Sequence, residues 1–168
     1  MQLPKLVLTD IDGVWTDGGM YYDNWGNESK KFNTRDSGGV LFLRYFDIPF
    51  GIITGENTKI VKRRAEKLKV ERLYMGIQDK LTVAQNLCDE FNITLQEVAY
   101  IGDDINDYHL IKAVGLSACP ADASFIIQET AHWTLSKKGG EGVFREFVER
   151  IFAEAGKMDA LIHKITVA

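Results

Sequence analysis

Two aspartates stand one residue apart near the start of the chain, Asp10 and Asp12, and Gly13 follows them. Side chains two apart on an extended backbone point the same way, so this spacing sets two carboxylates side by side. Gly13 lets the chain turn beneath a ligand. Like charges this close are costly unless a cation lies between them or their ionisations separate. A second acidic set, Asp103 and Asp104 with Asp107 one turn on, lies far along the chain. The simplest neutraliser for such groups is a hard divalent cation, and Mg²⁺ is the usual one beside phosphates. Thr54 and Gly55 offer a hydroxyl and backbone N–H groups near a helix start. Lys80 offers a point charge suited to phosphate oxygens. Around one point, these groups are equipped for phosphoryl transfer, with an aspartate able to act as nucleophile through an aspartyl-phosphate. Each piece alone has a plain structural explanation: an Asp-Gly turn, a helix cap, a solvated lysine. The set gains its meaning from its order along the chain.

That order depends on the elements that carry it. Apolar runs at Lys5–Thr9, Phe50–Ile53, Arg72–Met75 and Val98–Ile101 read as strands, with Gly115–Ala118 and His132–Leu135 as two more. Unbroken apolar runs mean strands covered on both faces, as in a parallel sheet. Helical periodicity lies between them at Ser37–Phe46, Thr58–Leu68, Asp79–Phe91 and Gly142–Phe152. Alternation of this kind predicts a doubly wound α/β domain. Such a sheet gathers ligands at the carboxyl ends of its strands, where Asp10, Thr54 and Asp103 fall and Lys80 follows closely. One segment interrupts the alternation: residues 18–33 read as a β-hairpin around the turn residues 23–27. It is either a flap or a contact element. The apolar tail, 160–168, is expected to dock on a surface or on a neighbouring chain.

Composition narrows the function classes. The chain has 168 residues and a formal charge of −4, with 45% hydrophobic and 26% charged residues. This suits one domain, 1–168, with a real core. An acidic chain is a poor partner for nucleic acid, which asks for a basic surface. No run approaches the ~20 apolar residues that span a bilayer, and the four residues before the first strand run are expected to leave no room for a signal peptide. Cys88 and Cys119 have no metal-ligand spacing and read as small buried hydrophobes, fitting the reducing cytoplasm.

The stretches Asp10-Ile11-Asp12-Gly13-Val14, Thr54, Lys80 and Gly102-Asp103-Asp104-Ile105-Asn106-Asp107 together resemble the four motifs of the haloacid dehalogenase-like superfamily over nearly the whole chain. The gaps between motifs leave no room for a cap domain, as in its capless branch. Within that branch, residues 9–18, Phe32-Asn33-Thr34-Arg35-Asp36, Ile53-Thr54-Gly55 and Gly139-Gly140-Glu141-Gly142 resemble the phosphatases of 3-deoxy-D-manno-octulosonate (KDO) 8-phosphate and their nine-carbon relatives.

The resemblance implies a Mg²⁺-dependent phosphomonoesterase acting on a 2-keto-3-deoxy sugar acid phosphate. Asp10 would be the nucleophile and Asp12 the general acid and then base, the two dividing the labour through their environments. Thr54, Gly55 and Lys80 would hold the phosphoryl group. Asp10, the backbone carbonyl of Asp12, and Asp103 would hold the metal, with Asp104 and Asp107 behind them orienting waters. Asn33, Glu56, Asn57, Arg64, Lys67, Gly76 and Asn106 would face the sugar. The basic stretch Lys59, Lys62, Arg63, Arg64 and Lys67 is either a solvated helix face or, through Arg64 and Lys67, a seat for the sugar carboxylate, even in a neighbouring subunit. Many KDO 8-phosphate phosphatases carry arginine where this chain has Glu56. That departure tilts the expectation to the nine-carbon acid, 2-keto-3-deoxynononate (KDN) 9-phosphate, with KDO 8-phosphate as the alternative. Capless members commonly form homotetramers in which a neighbour roofs the active site, and Tyr21 and Trp25 would anchor such an interface.

Three other functions use parts of the same pattern. A receiver domain also groups aspartates, a hydroxyl and a lysine, but in a different order. A non-catalytic phosphatase-like oligomerisation domain would not need intact Asp10, Asp12, Lys80 and Asp103. A capless phosphatase of a macromolecule stays open.

Overall fold

The computed structural model describes residues 1–167. Six strands form its central sheet: β1 (Leu6–Thr9), β4 (Phe50–Ile53), β5 (Arg72–Tyr74), β6 (Val98–Ile101), β7 (Leu116–Cys119) and β8 (Trp133–Thr134). Their order is β5-β4-β1-β6-β7-β8, and all neighbours run parallel. At the centre, Val7 of β1 lies opposite Phe50 on one side and Ala99 on the other. The chain winds outward in both directions from β1, so the crevice at the carboxyl end of β1 is a topological switch point.

Both faces of the sheet are apolar, and successive residues serve opposite faces. Val7, Ile52, Ala99, Ile101 and Ala118 pack against α1 (Asp36–Tyr45), α2 (Lys59–Lys67), α6 (Val143–Glu154) and α7 (Met158–Val167). Leu6, Leu8, Ile53, Val98, Tyr100 and Cys119 pack against α3 (Lys80–Phe91), α4 (Tyr108–Ala113) and α5 (Phe125–Thr130). Trp15 stacks on Phe144 at 4.7 Å and donates its indole N–H to Thr9 Oγ1 at 3.1 Å. This ties the turn after β1 to α6. Cys88 and Cys119 are buried free thiols.

Helix starts follow the expected chemistry. Thr58 accepts from the Val61 N–H to cap α2, and Asp79 accepts from the Thr82 N–H to cap α3. The α3 cap leaves Lys80 as the first helical residue. α6 begins after Gly142, which has no side chain to cap with. Asp36 does it instead, accepting from the Arg145 N–H at 3.1 Å from 109 positions away.

The structure departs from the sequence expectations in two places. The segment 18–33 forms only a short antiparallel pair, β2 (Tyr21–Tyr22) with β3 (Glu28–Ser29), plus one bridge between Thr16 and Phe32. Its turn is built by Asp23, whose carboxylate accepts from the Trp25 and Asn27 N–H groups rather than extending the ladder. The short helices α4 and α5 carry too few turns for periodicity to reveal. The tail docks on the surface of its own chain, as expected, within helix α7: Leu161 is buried and Lys164 donates to the Tyr45 carbonyl at 2.6 Å. Ala168, the last residue of that tail, lies outside the described residues.

Candidate active site

The loops after β1, β4 and β6 meet in a cleft of about 250 Å³ lined by Asp10, Asp12, Gly13, Gly18, Thr54, Gly55, Glu56, Asp103, Asp104 and Asn106. Asp10 leaves the end of β1 and its Oδ1 accepts from the Ile11 N–H at 2.7 Å. Its Oδ2 lies 2.8 Å from the Lys80 ammonium, which is buried beneath it. Lys80 also meets Asp107 at 2.6 Å. Asp107 is fully buried and committed on every side: Lys80 and the Tyr100 hydroxyl donate to Oδ1, and the Asp103 and Asp104 N–H groups donate to Oδ2. It therefore orders the loop that carries Asp103 instead of facing the cleft.

The two acidic stretches come together through a glycine. Gly13 sits at φ +78°, and a Cβ there would stand 1.9 Å from Asp103 Oδ2. A side chain at this position would be strained by backbone and by collision alike. The loop of Gly139 and Gly140 closes the other side, since a Cβ on Gly139 would stand 2.1 Å from the Gly13 carbonyl oxygen.

Carboxylate oxygens of Asp10, Asp103 and Asp107 lie within 4.8 Å of one another. One lysine does not balance three such groups. Burial is the largest cause that pushes the Asp10 carboxyl up to about 7; Asp107 adds to it and Lys80 opposes it. Burial also leads in pushing Asp103 up to about 8, with Asp10 and Asp107 adding to it. For Lys80, burial alone would lower the pKa, but the two carboxylates outweigh it and hold the ammonium above its usual range. A divalent cation would remove this crowding. Asp10 and Asp103, which face the cleft, offer oxygen donors of the kind that suits Mg²⁺.

Other expected site residues divide in two. Thr54 is buried at the end of β4, with its hydroxyl accepting from the Glu56 N–H at 3.2 Å, and it lines the cleft with Gly55, Glu56 and Asn106. Asn33, Asn57, Arg64, Lys67 and Gly76 do not line the cleft of their own chain. Asn33 is engaged with backbone, donating to the Gly140 carbonyl at 3.3 Å and accepting from the Arg35 N–H at 3.0 Å. Gly76 pairs its N–H with the Glu56 carbonyl, next to Asn57, behind the rim. No residue of α2 lines the cleft. The helix carries Arg64 over the Phe32 ring, where the guanidinium donates to the Asn33 carbonyl, and leaves Lys67 exposed.

The sequence did not single out Lys30. It reaches from the hairpin to Asp12 Oδ1 at 2.7 Å. Lys30 and Lys31 are chemically alike in the sequence, and only the turn of the chain decides which one points inward. Thr16, also unmarked, donates to the same oxygen at 3.1 Å.

Known proteins resemble this chain in sequence and in fold. A family model for haloacid dehalogenase-like hydrolases matches residues 56–147. The KDO 8-phosphate phosphatase KdsC of Yersinia pestis is 39% identical over 155 residues, covering 92% of this chain and 83% of that protein. A probable YrbI family phosphatase from Pseudomonas syringae superposes with a TM-score of 0.92 at 40% identity, covering 99% of this chain and 94% of the other. The KDO 8-phosphate phosphatase of Moraxella catarrhalis, solved with magnesium, phosphate and KDO, superposes with a TM-score of 0.91 at 32% identity, covering 96% and 93%.

Proposed function

The chain belongs to the haloacid dehalogenase-like hydrolases, and we propose that within them it removes phosphate from KDO 8-phosphate. It is an enzyme, a Mg²⁺-dependent phosphoric monoester hydrolase without a cap domain. The observation that carries the chemistry is the meeting of Asp10, Asp12, Thr54 and Asp103 around one cleft with Lys80 beneath it.

Asp10 is the nucleophile in this reading: its Oδ forms a bond to phosphorus while the bond from phosphorus to the sugar oxygen breaks. The electron pair stays on the sugar oxygen, which takes a proton from Asp12. Asp12 then takes a proton from the water that attacks phosphorus, the bond from phosphorus to the Asp10 oxygen breaks with its electron pair returning to the carboxylate, and inorganic phosphate leaves. Thr54, the Gly55 backbone and Lys80 orient the phosphoryl oxygens, acting as donors already in place. Asp10, Asp103 and the main-chain carbonyl of Asp12 would hold Mg²⁺. When bound, the ion supplies positive charge to the phosphoryl oxygens and keeps Asp10 ionised. Asp107 keeps Lys80 and the Asp103 loop in register.

The relatives favour the eight-carbon acid and reverse the expectation drawn from Glu56, since KdsC proteins of several bacteria match nine-tenths of this chain and act on KDO 8-phosphate. KDN 9-phosphate remains a second reading on one observation, the place of Glu56 on the cleft wall. An anion there repels a carboxylate and accepts from hydroxyls. Arg64 and Lys67 belong to the sugar site only if a neighbouring subunit presents them. A homotetramer whose neighbour roofs the cleft is supported by the hairpin tip, where Trp25 is 85% exposed. A cytoplasmic setting is supported by the two free thiols.

The test is Mg²⁺-dependent phosphate release from both acids side by side, with Asp10→Asn as blank. A higher kcat/KM for KDO 8-phosphate supports the proposal. A higher value for KDN 9-phosphate transfers the assignment to the second reading, and release from neither removes both.

A further inference from the structure

We propose that Lys30, carried by the hairpin, is a positioning residue that fixes the pose of Asp12, the group that exchanges the proton with substrate. This rests on the reading of Asp12 as the acid–base group.

Lys30 directly follows β3, on a segment whose other residues are largely open to solvent, yet its side chain is only 2% exposed. Lysine is almost never fully buried unless paired, and ordering its long stem costs rotamer freedom. Its neighbour Lys31 shows what the segment otherwise does with a lysine: that side chain is 63% exposed and reaches Asp17 only loosely, at 3.6 Å. Lys30 is drawn in to a single point, Asp12 Oδ1 at 2.7 Å, with Glu28 flanking it at 3.9 Å. Thr16 adds its hydroxyl to the same oxygen at 3.1 Å. Asp12 Oδ2 is buried and has no partner.

The two oxygens of one carboxylate are thus set apart. Oδ1 accepts from a cation and from a hydroxyl, which fixes the plane of the group. In the first half-reaction Asp10 forms a bond to phosphorus as the bond from phosphorus to the sugar oxygen breaks, and a proton passes from the Asp12 carboxyl to that oxygen. In the second, the Asp12 carboxylate takes a proton from the water that displaces Asp10 from phosphorus. Lys30 touches neither the substrate nor the phosphorus. It acts by holding Asp12 still, and because it belongs to the hairpin, the pose of the hairpin and the pose of the acid–base group are set together.

The experiment compares kcat/KM for the sugar acid phosphate turned over faster, KDO 8-phosphate or KDN 9-phosphate, with kcat/KM for 4-nitrophenyl phosphate. The nitrophenolate departs without a proton, so only the sugar substrate needs Asp12 in the first half-reaction. Lys30→Met is expected to lose about 30- to 100-fold on the sugar phosphate and under about fivefold on the aryl phosphate, part of the usual range for general acid catalysis. Lys30→Arg is expected to recover to within about fivefold by keeping a cation on Oδ1. Lys31→Met, on the exposed neighbour, is expected to leave both values unchanged. Equal losses on the two substrates, or a rise in KM alone that arginine does not correct, would overturn the proposal. If Lys30→Met does not fold by thermal melt, Lys30→Gln and Lys30→Arg carry the same comparison. Asp12→Asn separates the two layers. Absence of a leaving-group split in Asp12→Asn removes the acid–base reading itself; a split there but none in the Lys30 variants removes only the role of Lys30.

Discussion

Clefts lie at both ends of the sheet, and size does not mark the one with the chemistry. At the amino end, a cleft of about 330 Å³ is lined by Val40, Arg44, Phe50, Lys69, Arg72 and Phe91 among others. Both of its arginines have partners: Arg72 pairs with Glu90 at 3.2 Å and lies over the Phe91 ring, and Arg44 donates to the Leu68 carbonyl at the end of α2. At the carboxyl end, three carboxylates crowd around one lysine and two of them are driven far from their ordinary ionisation. Volume therefore says little here. Charge that the protein leaves uncompensated marks the site, because folding alone would select against it.

The largest effect that would sharpen this contrast is at Asp10. Asp10→Asn is expected to cut phosphate release by about 10⁴-fold or more, the scale seen when a nucleophile is lost. It also removes one of the crowded carboxylates, so its Tm at pH 8 in chelator is expected to equal or exceed that of the parent. A fall in both activity and Tm would mean that Asp10 is a structural member of a Lys80 ion pair. Thr54→Val comes next, with an expected loss of about 10²–10³ in kcat, the cost of removing a donor already in place. Loss confined to stability would take Thr54 out of the phosphate site.

Asp36 offers a way to break the contrast, since it is also a buried carboxyl with a disturbed ionisation. Burial pushes it up to about 6, against the opposing pull of the Arg145 N–H, Arg64 and Lys137. Its work is to cap α6, away from the cleft. The folded state holds this proton more tightly than the unfolded chain does, so the contribution of Asp36 to stability is greatest below pH 4 and is lost as pH rises toward 6. A shift of about two pH units corresponds to about 3 kcal/mol. Denaturant unfolding of Asp36→Asn and the parent is expected to show the difference between them growing in favour of the variant by about that amount from pH 4 to pH 7, with kcat within about threefold. A loss of kcat in step with Asp10→Asn would show that Asp36 belongs to the reaction. The smallest effect is expected at the amino end. Arg72→Met should cost about 1 kcal/mol of stability, the worth of an exposed ion pair with an aromatic contact, and leave kcat/KM within about threefold. A larger kinetic change would make that cleft a regulatory site.

Much of this was legible in the residues themselves. Apolar runs with an acid or hydroxyl at the carboxyl end announced β1, β4 and β6 and placed Asp10, Thr54 and Asp103 at one rim, because strand and strand end are local properties of the chain. The helices α1, α2, α3 and α6 were legible from their apolar period, whereas α4 and α5 are too short to show one. The hairpin was legible as turn residues but not in its length, since Asp23 draws the backbone into a tight turn that the alternation of side chains does not reveal.

What the sequence determined alone was the order of elements, the four strand-end groups and the chemistry those groups share. The tertiary structure decided the rest: that Lys30 and not Lys31 reaches Asp12, that Asp107 spends all its acceptors on Lys80, Tyr100 and backbone, that Asp36 caps a helix 109 positions away, and that Arg64 leans on Phe32 instead of the cleft. The reason is one of range. Periodicity and strand ends are written within a few residues, while the partner of a long or buried side chain depends on which distant segment is packed beside it, and each such contact is worth only about 1–3 kcal/mol, too little to leave a mark in the local pattern.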